Sequence, residues 1–241
     1  MVYFISDIHL GFYQRQEDKV LEDKLIQFLS LIRKNDVLVI VGDLFDYWFD
    51  FNKVIPSNFY RTLHKLYELR INYVKILYLI GNHDFGHYKF FREELDILPI
   101  EDDLSIELMG KKFFISHGDG KSYNDSGYKL LKIILRSKLA QRMYRWLHPD
   151  FGIWLASRSS RKSRHYTETK DYGLRDGLKD FAFRKIDQGF DYVVMGHRHK
   201  LEKTEYKGGI YINLGTWLSN PVYGLFDGDK FEIIQIPNTQ G

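Results

Sequence analysis

The chain runs to 241 residues, 44% hydrophobic, 28% charged and 16% aromatic, which supports one large domain or two small ones and excludes a disordered polymer. With no cysteine it can form no disulfide framework, thiolate zinc site, iron–sulfur cluster or cysteine nucleophile. The net charge of +3 hides an asymmetry: residues 121–170 hold twelve Lys and Arg against three acids, and the remainder is net acidic. A segment this basic suits either an anionic partner (nucleic acid, a phosphorylated substrate, an acidic membrane surface) or a solvated helical face. The first apolar run stops at Asp7, so no secretory signal peptide is expected. No apolar stretch reaches the ~18 residues of a membrane span.

Strand-like and helix-like stretches alternate along the chain, the pattern of an α/β domain. Val2–Ser6 reads as a strand. Residues 17–34 read as a helix, with Val20, Leu21, Leu25, Ile26, Leu29 and Ile32 at helical spacing. The unbroken apolar run 37–41 reads as a strand covered on both faces. A second helix is expected to open at Ser57, an N-cap candidate after Pro56, and to carry Phe59, Leu63, Leu66 and Leu69. Residues 76–80 read as another buried strand, 87–95 as a short helix, and 104–108 with 112–116 as a hairpin about Gly110. From about 126 to 188 the pattern is mostly helical, broken near Pro149 and Gly173. Strands return at 192–195, 201–206, 210–213, 222–226 and 231–236, separated by Gly208-Gly209 and Asp227-Gly228-Asp229. The expected architecture is one α/β domain over 1–241, interrupted by a basic helical insertion at about 121–170.

Chemistry concentrates where the strands end. Asp7-Ile8-His9, Gly42-Asp43, Gly81-Asn82-His83-Asp84, His117-Gly118-Asp119 and Gly196-His197-Arg198-His199 each follow an apolar run. In open α/β sheets the ligand crevice lies beyond the carboxyl ends of the strands. Taken singly, each block has an ordinary explanation as a turn, a helix cap or a surface loop. Five such blocks would place metal-competent side chains at one edge. Two divalent ions about 3.5–4 Å apart need a bridging carboxylate with further oxygen and imidazole ligands, and together they activate water and clamp a phosphate. A mixed oxygen and nitrogen set without thiolate favours Mn, Fe, Zn or Co.

On these blocks the sequence resembles the calcineurin-like metallophosphoesterases, whose motif Asp-x-His, Gly-Asp, Gly-Asn-His-Asp, His, Gly-His-x-His it matches between residues 7 and 199. The resemblance implies a β-sandwich flanked by helices. It also implies two divalent metal ions, with Mn²⁺ the expected species. Asp7, His9, Asp43 and His199 would hold one, and Asp43 would bridge to a second held by Asn82, His117 and His197. His83 would serve the transition state or the leaving group, with Asp84 orienting it.

Three further stretches are similar to the UDP-2,3-diacylglucosamine diphosphatases: Gly42 to Trp48, His117-Gly118-Asp119-Gly120, and Asp125-x-x-Tyr128. So is the long helical insertion ending in the Ser/Arg cluster 157–164. The best-known branch of that family carries Arg at the position of His83, and this chain is closer to the branch that retains His. The resemblance implies an insertion that caps the site and receives acyl chains. Asn82, Asp125, Tyr128, Ser160, Arg161, Ser163, Arg164 and His165 would be its substrate-binding residues. The expected substrate is a lipid-linked nucleotide sugar, met from the cytoplasm at an anionic inner-membrane surface, with no nucleic acid partner. A phosphodiesterase or nuclease built on the same metal centre is the alternative. Apolar residues interleave the bases of the insertion at helical intervals, which fits a face lying on a bilayer or one packed on the main domain.

Overall fold

Strands whose alternate side chains are all apolar have two faces to bury, and this requirement sets the layering. The computed structural model describes residues 1–121, 137–155 and 176–237. In chain order its elements are β1 (Val2–Ile5), α1 (Arg15–Leu29), β2 (Val37–Val41), α2 (Tyr60–Ile71), β3 (Lys75–Leu79), α3 (Phe90–Glu93), β4 (Pro99–Ile100), β5 (Leu104–Leu108), β6 (Lys111–Ser116), α4 (Lys138–Tyr144), α5 (Gly177–Asp187), β7 (Tyr192–Met195), β8 (Leu201–Tyr206), β9 (Gly209–Leu214), β10 (Val222–Phe226) and β11 (Phe231–Gln235). A further helical stretch covers 149–155.

The strands form two sheets, ordered β11-β10-β1-β2-β3-β4 and β5-β6-β7-β9-β8. Along β2 the alternation is complete: Leu38 and Ile40 face the helices α1 and α2, while Val39 and Val41 face the other sheet. Along β7, Tyr192 and Val194 point between the sheets and Val193 and Met195 point to α5. The result is a sandwich of two sheets with helices on both outer faces. The strands β1, β2 and β3 run parallel in one sheet, as do β6, β7 and β9 in the other.

Local structure departs from the sequence reading in a few places. The helix expected to reach residue 34 ends at Leu29. Leu31 and Ile32 then donate to Phe28 and Leu29 in tighter i→i−3 bonds, and Asn35 turns left-handed at φ 69°. Ser57 does not cap α2: residues Ser57–Phe59 form a 3₁₀ turn that leads into it. The short helix contracts to Phe90–Glu93, its start held from a distance by Asp50 Oδ2, which accepts from the amides of Tyr88, Lys89 and Phe90 at 3.0, 2.9 and 2.8 Å. The two-residue β4 is too short to leave a periodic signal. Between β5 and β6, Met109 and Gly110 both take positive φ, 50° and 80°, the signature of the hairpin turn whose twist matches its strands.

Of the basic insertion, the described residues are 121 and 137–155, which hold α4, capped by Ser137 Oγ accepting from Ala140 N at 3.2 Å, and the helical stretch 149–155. Leu139 and Met143, one turn apart on α4, and Trp146 just beyond it are 69%, 65% and 81% exposed, so these apolar side chains do not pack on the main domain. No helix among the described residues is long and apolar enough to cross a membrane.

Phe113 fills the centre between the sheets, fully buried, with Phe4, Tyr192 and Phe226 at ring distances of 5.6, 4.7 and 5.1 Å. Phe113→Ala should therefore cost about 3–5 kcal/mol. In urea denaturation this reads as a lowered midpoint at unchanged slope.

Candidate metal centre

The five blocks leave the carboxyl ends of β1, β2, β3, β6 and β7. Hydrogen bonds among these blocks and the loop after β9 bring the ends of both sheets together. Gly196 N donates to His117 O at 3.1 Å, Trp217 N to Asp7 O at 3.1 Å, and Asp7 N to Gly42 O at 3.2 Å. Asp7, His9, Asp43, His197 and His199 all take left-handed backbone conformations, with φ of 53°, 54°, 52°, 69° and 57°. Each such residue costs of order 1 kcal/mol or more, and clusters of them are characteristic of functional sites. The glycines of the same blocks make room for their neighbours. A Cβ on Gly81 would collide with Asp43 Oδ1, and one on Gly196 with Ser6 Oγ and Asp7 Oδ2.

All seven side chains expected to hold metal converge. Asp43 Oδ2 lies 3.2 Å from His117 Nε2 and 3.8 Å from His9 Nε2, between the two halves of the cluster. On one side His9 Nε2 and His199 Nε2 are 3.0 Å apart, with Asp7 Oδ1 at 3.7 and 3.3 Å from them. On the other side Asn82 Oδ1 lies 2.9 Å from His117 Nε2 and 2.8 Å from His197 Nδ1. The groups Asp7, His9, His199 and Asp7, Asp43, His117 each offer ligand atoms within 4.8 Å of one another.

The surroundings orient these donors. His117 Nδ1 lies 2.9 Å from Val41 O, so that nitrogen keeps its proton and Nε2 is the one that, once neutral, turns a lone pair inward. Asp7 accepts from Ser6 Oγ at 2.5 Å and from His197 N at 3.0 Å, and Asp43 Oδ1 from His83 N at 2.8 Å. Burial works to raise both carboxyls. For Asp7 the bonds from His199 and His9 outweigh it, for Asp43 the charges of His117 and His83 do, and both end well below the usual range. Burial also works against charging His9 and His117, yet the carboxylates around them lift these to about 9 and about 10. A buried cluster that pulls protons onto these two imidazoles this strongly, while burial and the His117 charge hold His197 below its ordinary value, is one built for positive charge. Two carboxylates, an amide oxygen and four imidazoles without sulfur fit divalent transition ions.

His83 and Asp84 do not form the pair that the resemblance implied. The Asp84 carboxylate accepts instead from Leu44 N at 2.9 Å, Tyr78 OH at 2.5 Å and Gly81 N at 2.8 Å. Asp84 thus braces the loops after β2 and β3. The carboxylate beside His83 is Asp46, whose Oδ1 lies 3.7 Å from His83 Nδ1 and 3.5 Å from His9 Nδ1. Asp46 is buried. Its sequence signal, an acid three residues after Asp43, stands within the Gly42–Trp48 block but carried no assigned role. Ser6, which holds Asp7, had no signal beyond its place at a strand end. Asp125, Tyr128, Ser160, Arg161, Ser163, Arg164 and His165 lie outside the described residues.

A family model described as calcineurin-like phosphoesterase matches residues 1–201. The chain is similar to proteins named UDP-2,3-diacylglucosamine hydrolase. The one from Porphyromonas gingivalis is 29% identical, with 94% of each chain covered. The one from Haemophilus ducreyi is 28% identical, covering 89% of this chain and 91% of its own. The one from Neisseria meningitidis serogroup B is 28% identical, with 89% of each covered.

Two outcomes follow from this geometry. Gly196→Ala should lower metal content while leaving the far-ultraviolet circular dichroism intact, because the added methyl meets the Ser6–Asp7 pair rather than the core; elemental analysis of the purified variant checks it. Metal uptake should also release protons. With His9 and His117 at about 9 and about 10, the metal-free site is protonated at pH 7.5, and ions need the neutral nitrogens. Apparent affinity should therefore climb with pH up to that range. Calorimetric titration with Mn²⁺ in two buffers of different ionisation enthalpy measures the release, and identical heats would contradict it.

Proposed function

The chain belongs to the calcineurin-like phosphoesterase family, whose chemistry runs on divalent metal ions, and we propose that it hydrolyses the diphosphate bond of UDP-2,3-diacylglucosamine to UMP and 2,3-diacylglucosamine 1-phosphate. The observation that carries this reading is the pairing of a phosphoester-cleaving centre with an adjoining insertion that is both basic and apolar. Leu139, Met143 and Trp146 stand exposed beside Lys138, Arg142 and Arg145. A diphosphate lipid has the matching halves. Support also comes from the relatives' names and from coverage that runs through the insertion.

In this reading Asp7, His9, Asp43 and His199 hold one ion, and Asp43, Asn82, His117 and His197 the other, with Mn²⁺ the preferred species. Bound there, the ions supply Lewis acidity towards the phosphate and a nucleophilic water at neutral pH. The protein's own groups do the rest. Asp43 Oδ2, central to the cluster, ties both halves into one rigid unit. Asp46 keeps the Nδ1 sides of His9 and His83 facing it, and in this reading the His83 imidazole hydrogen-bonds the phosphate or protonates the departing oxygen. The basic residues of the insertion, Arg161 and Arg164 among them, neutralise the second phosphate, and its apolar face takes the acyl chains. The same face, basic and apolar together, suits an enzyme peripheral to the cytoplasmic side of an anionic inner membrane.

Each buried methylene contributes roughly 0.8 kcal/mol, so the acylated substrate should far outcompete its bare counterpart. With the Mn²⁺-loaded protein, UDP-2,3-diacylglucosamine should be cleaved and UDP-N-acetylglucosamine barely touched. His83→Ala should keep both metals and lose about 10²–10⁴-fold in kcat. Equal turnover of the two nucleotide sugars would defeat the lipid assignment, and rapid cleavage of DNA or RNA would replace it with a nuclease.

A further inference from the structure

The loops that leave two of the metal blocks are stitched to each other and then to the insertion. Beyond Asp43, the chain at 48–50 pairs with Gly86, which lies beyond Asn82 and His83. Asp50 N donates to Gly86 O at 2.9 Å and Gly86 N to Trp48 O at 3.2 Å. The buried Asp50 carboxylate adds the amides at 88–90 and, at 2.7 Å, Trp48 Nε1. This double loop presents Phe49 and Phe51, their rings 5.3 Å apart. Tyr144 of the insertion seats on them, at ring distances of 4.5 Å from Phe49 and 6.1 Å from Phe51.

Tyr144 also joins the two helical pieces of the insertion. Its hydroxyl donates to Gly152 O at 2.5 Å and receives the Tyr47 hydroxyl at 3.4 Å. Gly152 is packed so closely that a Cβ there would lie 3.0 Å from Phe51 and 3.2 Å from the Tyr144 hydroxyl. The next residue, Arg145, lies 3.9 Å over the Tyr88 ring. On α4 the exposed Met143 and Leu139 lie about 100° and 140° around the helix from this anchor, and Trp146 follows just beyond its end.

We propose that Tyr144 is a positioning residue, which fixes the insertion on the loops leaving the metal centre and thereby sets the preference for a substrate bearing acyl chains. The second half of this statement rests on the lipid-substrate reading above. Tyr144 touches none of the expected metal ligands, so phosphoester chemistry on a small substrate should not depend on it. An amphiphilic substrate, held at its phosphates by one part and at its chains by another, depends on the distance between the two parts.

The test compares wild type, Tyr144→Phe and Tyr144→Ala. With UDP-2,3-diacylglucosamine, Tyr144→Ala should raise KM about tenfold or more at near-constant kcat. Hydrolysis of bis(4-nitrophenyl) phosphate and metal content should stay within about twofold of wild type. Tyr144→Phe keeps the ring contacts and should recover most of the loss. A separate arm needs no substrate: limited trypsin digestion should cut Tyr144→Ala faster within 138–145. An unchanged digestion rate, or equal losses on both substrates, would overturn the anchor. No wild-type turnover of the acylated substrate, together with faster digestion of the variant, would refute the lipid reading and with it the claim on preference.

Discussion

Everything at this site depends on holding two carboxylates, Asp7 and Asp43, out of water. An ionised carboxylate in a protein interior loses several kcal/mol of hydration, which only neighbouring donors and positive charge restore. The chain supplies part of that compensation from its own backbone and hydroxyls: His197 N and Ser6 Oγ to Asp7, His83 N to Asp43. The remainder must be cationic, and the imidazoles drawn far above their ordinary pKa show how strongly the cluster demands it. Left-handed backbone at five positions of the cluster and glycines with no room for a Cβ are tolerated because they let these groups approach.

The sandwich is what makes the convergence possible. Parallel strands in each sheet send their carboxyl ends in one direction, and packing the sheets face to face brings β1, β2 and β3 alongside β6 and β7. Short loops then suffice, and rigidity passes from the core to the ligands through buried groups such as Asp84, which ties Leu44 and Gly81 to Tyr78. Asp46 does the same for the two imidazoles of His9 and His83. Preorganisation of this kind limits the rearrangement needed when charge develops on a phosphate.

The insertion answers a different need. Its exposed apolar face is unfavourable in water and is kept only where something apolar meets it. Its bases keep the net charge of the chain positive although the rest of the molecule is acidic. In one chain, then, a negative, water-poor pit binds cations, and a positive, apolar arm suits anions with hydrocarbon tails.

The sequence by itself determined much of this. Unbroken apolar runs placed the buried strands, because a sheet covered on both faces leaves no choice at β2 or β7. The five blocks beyond strand ends named all seven converging side chains, because metal ligands need particular donor atoms at particular loop positions. Tertiary structure alone decided the rest. Asp46, not Asp84, stands beside His83, since which of two nearby acids meets an imidazole depends on how the loops after β2 and β3 fold over each other. α1 stops at Leu29 although Ile32 keeps its helical spacing, because a turn can deliver the same side chain to the same core. Tyr144 looked like one more aromatic in a basic helix; its role as a contact between the insertion and the loop at 47–51 exists only where residues about a hundred positions apart are brought together by long-range packing.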